Sequence, residues 1–528
     1  MPSAEIQTFF TWFQSNKGGR GAVALIDIPE NHTLFSIPRS LILTTRTSEL
    51  PPKFGAASWN KFGLHQGWSG LILCLMWEAT RGSESKWAPY FDIMPTKFDT
   101  PMFWNDEDLA ELTGTSVVDK LGKDQAEKDY YEKIVPAIQS RPDIFAKEVL
   151  ATHYSLDLYH MMGTRVLSRS FTLAEEEIDD EEQHETGERE PRAPESHTHE
   201  IVPVEDVGNT SLGSAMDVDE PNHGHEHEHE HDQGEEDGSD SDSDSEGAPE
   251  VALVPMADIL NARYKTDNVK LFHERDSLRM VSTRPIKAGE QIWNTYGDLP
   301  NSDLLRGFGH VDYLPLPHAP GEYGNPGDVV ELRADVIVHN SASRERRLTR
   351  EDMTERIDWW LEEGGDDDPT TQLLTSLSLV LLSFTHLLLL TPSEFTKVTS
   401  KGKPPKPKPT PHLLRVLLAA LDARARAYPT TLEEDEREVE GTSGGLEAMG
   451  VNRRHAVVAR MGEKRVLRDV RRCVVEILEG VERREREEAE EVERRKQSGS
   501  GATTKRPQSK AEKRKADREE GGGRKRRK

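Results

Sequence analysis

The chain is 528 residues long, enough for two or three domains with a sizeable core, so length does not limit the choice of fold. Its formal net charge is -27, yet Glu175 to Glu250 alone carries 29 Asp and Glu against two Arg, so the remainder is neutral and the overall acidity gives no argument about binding partners. Two widely separated cysteines, Cys74 and Cys473, exclude a disulfide framework and a cysteine-rich zinc site, and they suit reduced thiols in an intracellular protein.

The opening "MPSAEIQTFFTWFQ" lacks the basic start and long apolar run of a secretory signal. From Gly21, "GAVALIDIPENHTLFSIP" places two β-rich runs around a Pro-Glu-Asn turn and predicts a strand pair. Ile286 to Trp293, "IKAGEQIW", repeats the pattern of Ile28 to Phe35, "IPENHTLF", with Gly289 where the earlier phrase has Asn31. The text between them is largely helical, as in "GLILCLMWEATRG" from Gly70 and "YHMMGTRVLSRSF" from Tyr159. One β-rich domain is therefore expected to be split by a helical insertion.

Residues 175–250 are nearly all acid, Ser, Gly, Pro or His, too polar to offset the entropy of ordering about 75 residues, and a disordered loop is predicted. Its "HGHEHEHEH" run from His223 presents imidazoles, but the alternating acids and the lack of a scaffold favour adventitious ion binding, and no metal is assigned. An apolar segment with polar residues at set places, "VALVPMADILNARYKTDN", then begins abruptly at Val251. After His310, "LPLPHAPGEYGNPGD" reads as a linker, and the chain beyond it is mainly helical in pattern. Helices are expected at "RIDWWLEE", at Leu413 to Ala427, and at Leu377 to Leu390, which falls short of the roughly 20 residues a membrane span needs and reads as buried. Leu467, Val470, Val474, Ile477, Leu478 and Val481 form one apolar stripe on a last helix. The pair Trp359 and Trp360 reads as core. "KGKPPKPKPTP" from Lys401 reads as an extended basic loop and Glu433 to Gly445 as a second polar loop. The tail from Lys505 to Lys528 carries 12 Lys and Arg against four acids; a nuclear import signal, a nucleic-acid contact and a solvated tail all fit it.

Taken in order, "GGRGAVA", "WAPYFDIMP", "VLSRSF", "VPMADILNA", "LRMVSTRPIKAGEQIWNTYG" and "NSDLLRGFGH" resemble the SET-domain protein-lysine methyltransferases of the Rubisco large-subunit methyltransferase type. Within that type the resemblance is nearest to the branch holding fungal ribosomal-protein lysine methyltransferases and their animal nuclear relatives. Each piece is weak alone; their order is specific. The implied fold is α+β: a β-rich SET domain split by a helical insertion and a disordered acidic loop, followed by an all-α substrate-binding domain. The corresponding parts are residues 1–174, 175–250, 251–315 and 326–495, with a basic tail at 496–528.

Methyl transfer from a sulfonium to an amine is an in-line displacement, so alignment, desolvation and electrostatics carry it, without a metal or a covalent enzyme intermediate. The resemblance implies S-adenosyl-L-methionine as cofactor, its amino-acid end held by backbone from Arg20 through Gly21 to Ala22, with Arg169 near its carboxylate. Read alone, the Gly-x-Gly turn is any tight turn and Arg169 a surface charge. Asn261 and Ala262 stand where the family has Asn and His; the Asn acts through its amide and the next residue through its main chain, so loss of the imidazole leaves a backbone contact in place. Asp258 can share a face with Asn261 or serve as a cap.

Tyr296 of "NTYG" matches the tyrosine beside the reacting methyl group, where a phenol orients the amine and contacts the polarised methyl. Phe308 replaces the Tyr of the Rubisco type and His310 its Phe, which leaves the number of methyl groups open; His310 is open between proton carrier and packing. Trp87 and Tyr90 are candidates to line the lysine channel, with core packing as the alternative. The implied partner is a protein with a target lysine, a ribosomal protein first and another nuclear protein second, with a nuclear location and a monomer expected. No membrane is implied, nor nucleic acid, since no aromatic-and-basic stripe accompanies the tail. The rival reading is a non-catalytic SET scaffold that binds basic proteins through its acidic loop.

Overall fold

The computed structural model describes residues 21–173, 250–340, 349–363, 371–374, 379–441 and 445–498. Arg20, the acidic stretch up to residue 249 and the basic tail from residue 499 lie outside the described residues, so the expectations placed on them are neither met nor refused.

Eight strands build the β-rich part: β1 (Ala22–Val23), β2 (Thr33–Pro38), β3 (Ser170–Leu173), β4 (Glu250–Leu253), β5 (Asn261–Ala262), β6 (Val269–His273), β7 (Ser277–Ser282) and β8 (Gln291–Asn294). The strand pair predicted between the two runs after Gly21 does not form. β1 pairs with β8 instead, and β2 with β7, both antiparallel. The repeated phrases explain why. Ile28 and Ile286 exchange backbone hydrogen bonds at 2.8 and 2.9 Å, so each phrase finds its partner in the other. Both turns need a left-handed residue, supplied by Asn31 (φ 60°) and Gly289 (φ 87°). The Ser282 hydroxyl stitches the crossing, donating to Pro29 O at 2.7 Å and accepting from His32 N at 2.9 Å. Ala24, Ile37, Leu278, Met280, Ile286 and Ile292 pack beneath as one apolar core.

Between β2 and β3 lies the helical insertion. Its buried centre is the helix Ser69–Thr80, in which residues from Ser69 to Glu78 are buried on every side, as expected for a helix without a polar face. Gly70 permits this crossing, because a Cβ there would lie 2.0 Å from the Leu64 carbonyl oxygen. The charge of Glu78 inside this core is held by the Ser48 and Ser85 hydroxyls at 3.0 and 2.8 Å. The insertion ends with the helix Leu156–Arg169, opened by Ser155, which accepts from Leu158 N. β3 follows at once and pairs antiparallel with β4, Leu173 opposite Glu250. The acidic stretch thus joins two adjacent strand ends, where added chain length costs little closure entropy. Glu250, expected in the loop, already belongs to β4.

Two further antiparallel pairs follow: β9 (Leu314–Pro315) with β10 (Tyr323–Gly324), inside the segment read as a linker, and β11 (Val330–Arg333) with β12 (Thr371–Leu374), within the otherwise helical C-terminal part. The chain divides into two compact units: Met1–Val336, Thr370–Ser376 and Leu421–Val470 form the first, and Ile337–Pro369, Leu377–Ala420 and Arg471–Lys528 the second. In the second unit the helices Arg350–Glu363 and Leu379–Leu389 pack with Trp360 edge-on to Phe384 at 5.4 Å, and Arg356 Nη1 donates to the Leu387 carbonyl at 2.7 Å. Of the tryptophan pair read as core, Trp360 is buried, while Trp359 is only half-buried, edge-on to Phe395 at 6.1 Å. The polar loop expected at Glu433 to Gly445 is largely a helix, Leu432–Gly441. Its polarity misled because Asp435 is wholly buried, paired to Arg460 at 3.0 Å and to Lys464 at 2.5 Å, both on the long helix Val451–Ser498.

Asp328 is a second buried carboxylate of the first unit. It accepts from Asn301 N at 2.8 Å and Asn325 N at 3.3 Å, and a Cβ on Gly462 would lie 2.0 Å from its Oδ2. Burial pushes its pKa up to about 7, against the pull of those two amides. A folded-state pKa above the unfolded one means the native state binds the extra proton. Its contribution to stability is therefore full below about pH 4 and is lost as pH rises toward about 7. The expected result is that the stability advantage of wild type over Asp328→Asn shrinks by at least about 1 kcal/mol between roughly pH 4.5 and pH 8, read by urea unfolding at each pH. A constant difference would show that this carboxyl does not titrate there.

Candidate functional site

The site is built around β8, which lies between β1 and β5. β1 runs antiparallel to it, with Ala22 opposite Ile292; β5 runs parallel, with Asn261 opposite Trp293 and Ala262 opposite Asn294. Residues near the start of the chain are thereby set beside the segment that follows the acidic stretch. Gly21 meets Asn261 directly: a Cβ on Gly21 would lie 2.8 Å from Asn261 Nδ2 and 2.5 Å from Gln291 Nε2, so any side chain there would displace these two amides. Buried Asn268 fixes the strand's register. Its Oδ1 accepts from Trp293 N at 2.7 Å and its Nδ2 donates to Gln291 O at 3.0 Å.

Beside β8 opens a cavity of about 570 Å³ whose lining includes Tyr90, Arg169, Asp258, Asn261, Ala262, Tyr296, Phe308 and His310. Asp258 is its electrostatic centre. It sits on the short turn Ala257–Ile259, entered through Met256 at φ 76°, and its side chain is fully buried. Its Oδ2 accepts from the Tyr90 hydroxyl at 2.8 Å and from Arg169 Nη1 at 2.9 Å, while the same Nη1 reaches the Asp258 carbonyl at 3.1 Å. Burial raises the Asp258 carboxyl above its usual range, although Arg169 and Tyr90 oppose it. For Arg169, burial disfavours the charge, but Asp258 more than compensates and its pKa is raised. Tyr90 is held well above the ordinary phenol range, by burial first and then by the Asp258 charge. Each member of the ion pair keeps one buried atom without a hydrogen-bond partner, Oδ1 of Asp258 and Nε of Arg169. Leaving a carboxylate oxygen and a guanidinium N–H so costs about 1–3 kcal/mol each.

Tyr296 follows β8 and precedes Gly297, whose φ of 85° turns the chain away. The Tyr296 hydroxyl donates to the Leu260 carbonyl at 3.2 Å, and Phe308 lies flat on the ring, centroids 4.2 Å apart at 9°. Burial raises the phenol to about 12, with Arg169 opposing and Asp258 adding, so it carries its proton at neutral pH. Phe308 ends the helix Asn301–Phe308, and Gly309 caps it in the left-handed conformation.

Of the residues singled out in the sequence, Arg169, Asp258, Asn261, Ala262, Tyr296, Phe308, His310 and Tyr90 line this cavity, and Ala22 stands on the neighbouring strand with Gly21 just before it. Trp87 does not line it. Its ring is buried in the insertion's core and its Nε1 donates to Leu41 O at 2.8 Å, which is the packing alternative. Sequence reasoning passed over the Asp258 link to Tyr90 and Arg169 and the clamp made by Asn268. It also missed the contribution of Lys97 to Thr100, whose Thr100 Oγ1 is buried without a partner. A buried Asp before an Asn at helical spacing was the available signal for the first; none in the sequence marked the others.

The SET domain family matches residues 19–297, and the family described as Rubisco LSMT substrate-binding matches residues 331–467. Among curated relatives, Ribosomal lysine N-methyltransferase 4 of Saccharomyces cerevisiae is 29% identical over 301 residues, 56% of this chain and 49% of that protein. N-lysine methyltransferase SETD6 of Homo sapiens is 27% identical over 361 residues, 67% of this chain and 60% of that protein. The matches thus span about half to three-fifths of these relatives' lengths. The fold is also similar to the solved structure of Rubisco LSMT bound to AdoMet, with a TM-score of 0.56 at 18% identity, covering 95% of this chain and 98% of that one. With over half of its length matched by the family, and with β8 bringing the two halves of that match into one site, the chain belongs to the SET-domain family.

Proposed function

We propose that the protein transfers a methyl group from S-adenosyl-L-methionine to the side-chain amine of a lysine in another protein. The observation that carries this reading is the cavity beside β8, whose lining brings Tyr296 together with the Asp258–Arg169 ion pair and Asn261. A carboxylate and a guanidinium in the lining of one cavity suit the ammonium and carboxylate of an amino-acid moiety, which is how that cofactor ends. Asn261 and the backbone at Ala262 are the groups suited to its other end, and Gly21 with Ala22 to its flank. Bound there, S-adenosyl-L-methionine supplies an electrophilic methyl group. The names of the relatives, a ribosomal lysine N-methyltransferase and an N-lysine methyltransferase, support the same class.

The work of the chain's own residues is set by the geometry. Tyr296 donates its proton to Leu260 O, which leaves the phenol oxygen's lone pairs for an amine N–H or a polarised methyl C–H. Phe308 holds that ring by stacking and offers no second hydroxyl to the amine. A lysine must react uncharged although its ordinary pKa is about 10.4; desolvation against these rings and the nearby cation both favour the neutral amine. Such a site accelerates transfer by alignment and electrostatics.

For the substrate, we propose a ribosomal protein, on the strength of the fungal relative's name, with another nuclear protein as the second choice. The direct test is incubation with methyl-labelled cofactor and a cell extract, then mass spectrometry. Label on a lysine is the expected outcome, and label on any other residue type, or on none with folded protein, would refute the reading. A nuclear location is proposed from the basic tail; truncation after Ser500 is expected to move a fluorescent fusion to the cytoplasm, and unchanged nuclear signal would reject it.

Tyr296→Phe keeps the ring and its stacking on Phe308, so cofactor affinity is expected to hold while the single-turnover rate at saturating cofactor falls by about 10²- to 10³-fold. A wild-type rate in the folded variant would remove Tyr296 from the chemistry.

A further inference from the structure

His310 is the ionisable ring in this cavity to which no task has been given. Its position is fixed from three sides. Gly309, at φ 72°, lets the chain close on the neighbouring loop, since a Cβ there would lie 3.0 Å from both Asp99 C and Thr100 N. Two residues on, the Asn301 side chain grips the backbone of Asp312, accepting from its N at 2.7 Å and donating to its O at 3.0 Å. The imidazole then stands edge-on to both aromatic partners, 6.4 Å from the Tyr296 ring and 6.2 Å from Phe308. It is thus a near neighbour of the ring at which a cationic methyl donor is proposed to react, and it lines the same cavity.

The charged and titratable groups around it are Asp312 on its own segment, Lys97 and Asp99 on the facing loop, Tyr296 after β8, the Asp258–Arg169 pair with Tyr90, Arg263 after β5, and His455 with Arg454 on the long helix. Asp312 favours a proton on His310, but burial outweighs it, so the imidazole is held below its ordinary range and is neutral at physiological pH. His455 is lowered to about 4 by burial, then by Arg454 and by His310 itself.

We propose that His310 sets the charge the cavity tolerates: neutral, it admits a cationic cofactor beside Tyr296, and protonated, it repels that cofactor while leaving an uncharged analogue bound. The inference rests on the methyl-transfer reading. The two ligands that test it, S-adenosyl-L-methionine and S-adenosyl-L-homocysteine, share their adenosine, carboxylate and amine and differ by the sulfonium methyl. The ratio of their dissociation constants therefore cancels titrations that do not sense the sulfonium charge, and the His310 variants isolate the share that belongs to His310.

Calorimetry of both ligands with the full chain, from about pH 8 down to about pH 5, is the experiment. In wild type the ratio of the two constants is expected to shift against the sulfonium by on the order of tenfold on acidification. In His310→Phe, which keeps an aromatic wall, and in His310→Gln, which keeps a polar uncharged one, the ratio is expected to stay constant within about twofold. His455→Gln is expected to retain the wild-type slope. A constant ratio in wild type, with both ligands bound, overturns the inference alone, as does a wild-type slope surviving in either folded His310 variant. Absence of binding by both ligands at about pH 8 overturns the cofactor reading and the inference together.

Discussion

The arrangement depends above all on one four-residue strand. β8 receives β1 on one side and β5 on the other, and each of these is only two residues long. Strands this short are marginal alone, since a couple of ladder hydrogen bonds do not offset the entropy of ordering them. They persist because Asn268 satisfies the backbone of β8 from a buried side chain and because Ile28 and Ile286 close the same sheet region further along. Part of the site is aligned from this strand: Gly21 abuts Asn261, which pairs with it, and Tyr296 follows its end.

A second constraint is electrostatic. Taking a carboxylate out of water is costly, and the desolvation of Asp258 is only partly balanced by Arg169 and Tyr90, as its raised pKa records. The pair is therefore a poor source of stability and a suitable source of preorganisation: its charges are oriented by their bonds to each other and to Tyr90. The contrast with Asp435 is instructive. That carboxylate, equally buried, has both oxygens engaged by Arg460 and Lys464, and it ties the helix Leu432–Gly441 to Val451–Ser498.

The acidic stretch, which makes up nearly the whole formal charge of the protein, interrupts this design where it does least harm. β3 and β4 are neighbours, and Leu173 stands opposite Glu250, so the chain leaves and returns across one strand spacing. Closure entropy grows only logarithmically with loop length, and the pairing on either side is unaffected by what joins it.

Much of the architecture was legible from residue order. The all-round apolar run at Gly70, the stripe from Leu467 to Val481, the repeated turn phrases and the succession of motifs around Asn261, Tyr296 and Phe308 each express local chemistry: a period, a turn residue, a spacing. Those signals announced a β-rich domain, its helical interruption and the residues around the cavity. They failed where a residue's role depends on partners far away in sequence. Nothing local says that the two runs after Gly21 pair with β8 and β7 instead of with each other, that Trp87 faces inward to Leu41, or that the acid-rich text after Thr431 is a helix. Tertiary structure alone decided which charges meet. Asp258 finds Tyr90 and Arg169, and Asp435 finds Arg460, because desolvation makes an unpaired buried charge intolerable, and that energy is set by the finished packing around each group, which no single stretch of sequence contains.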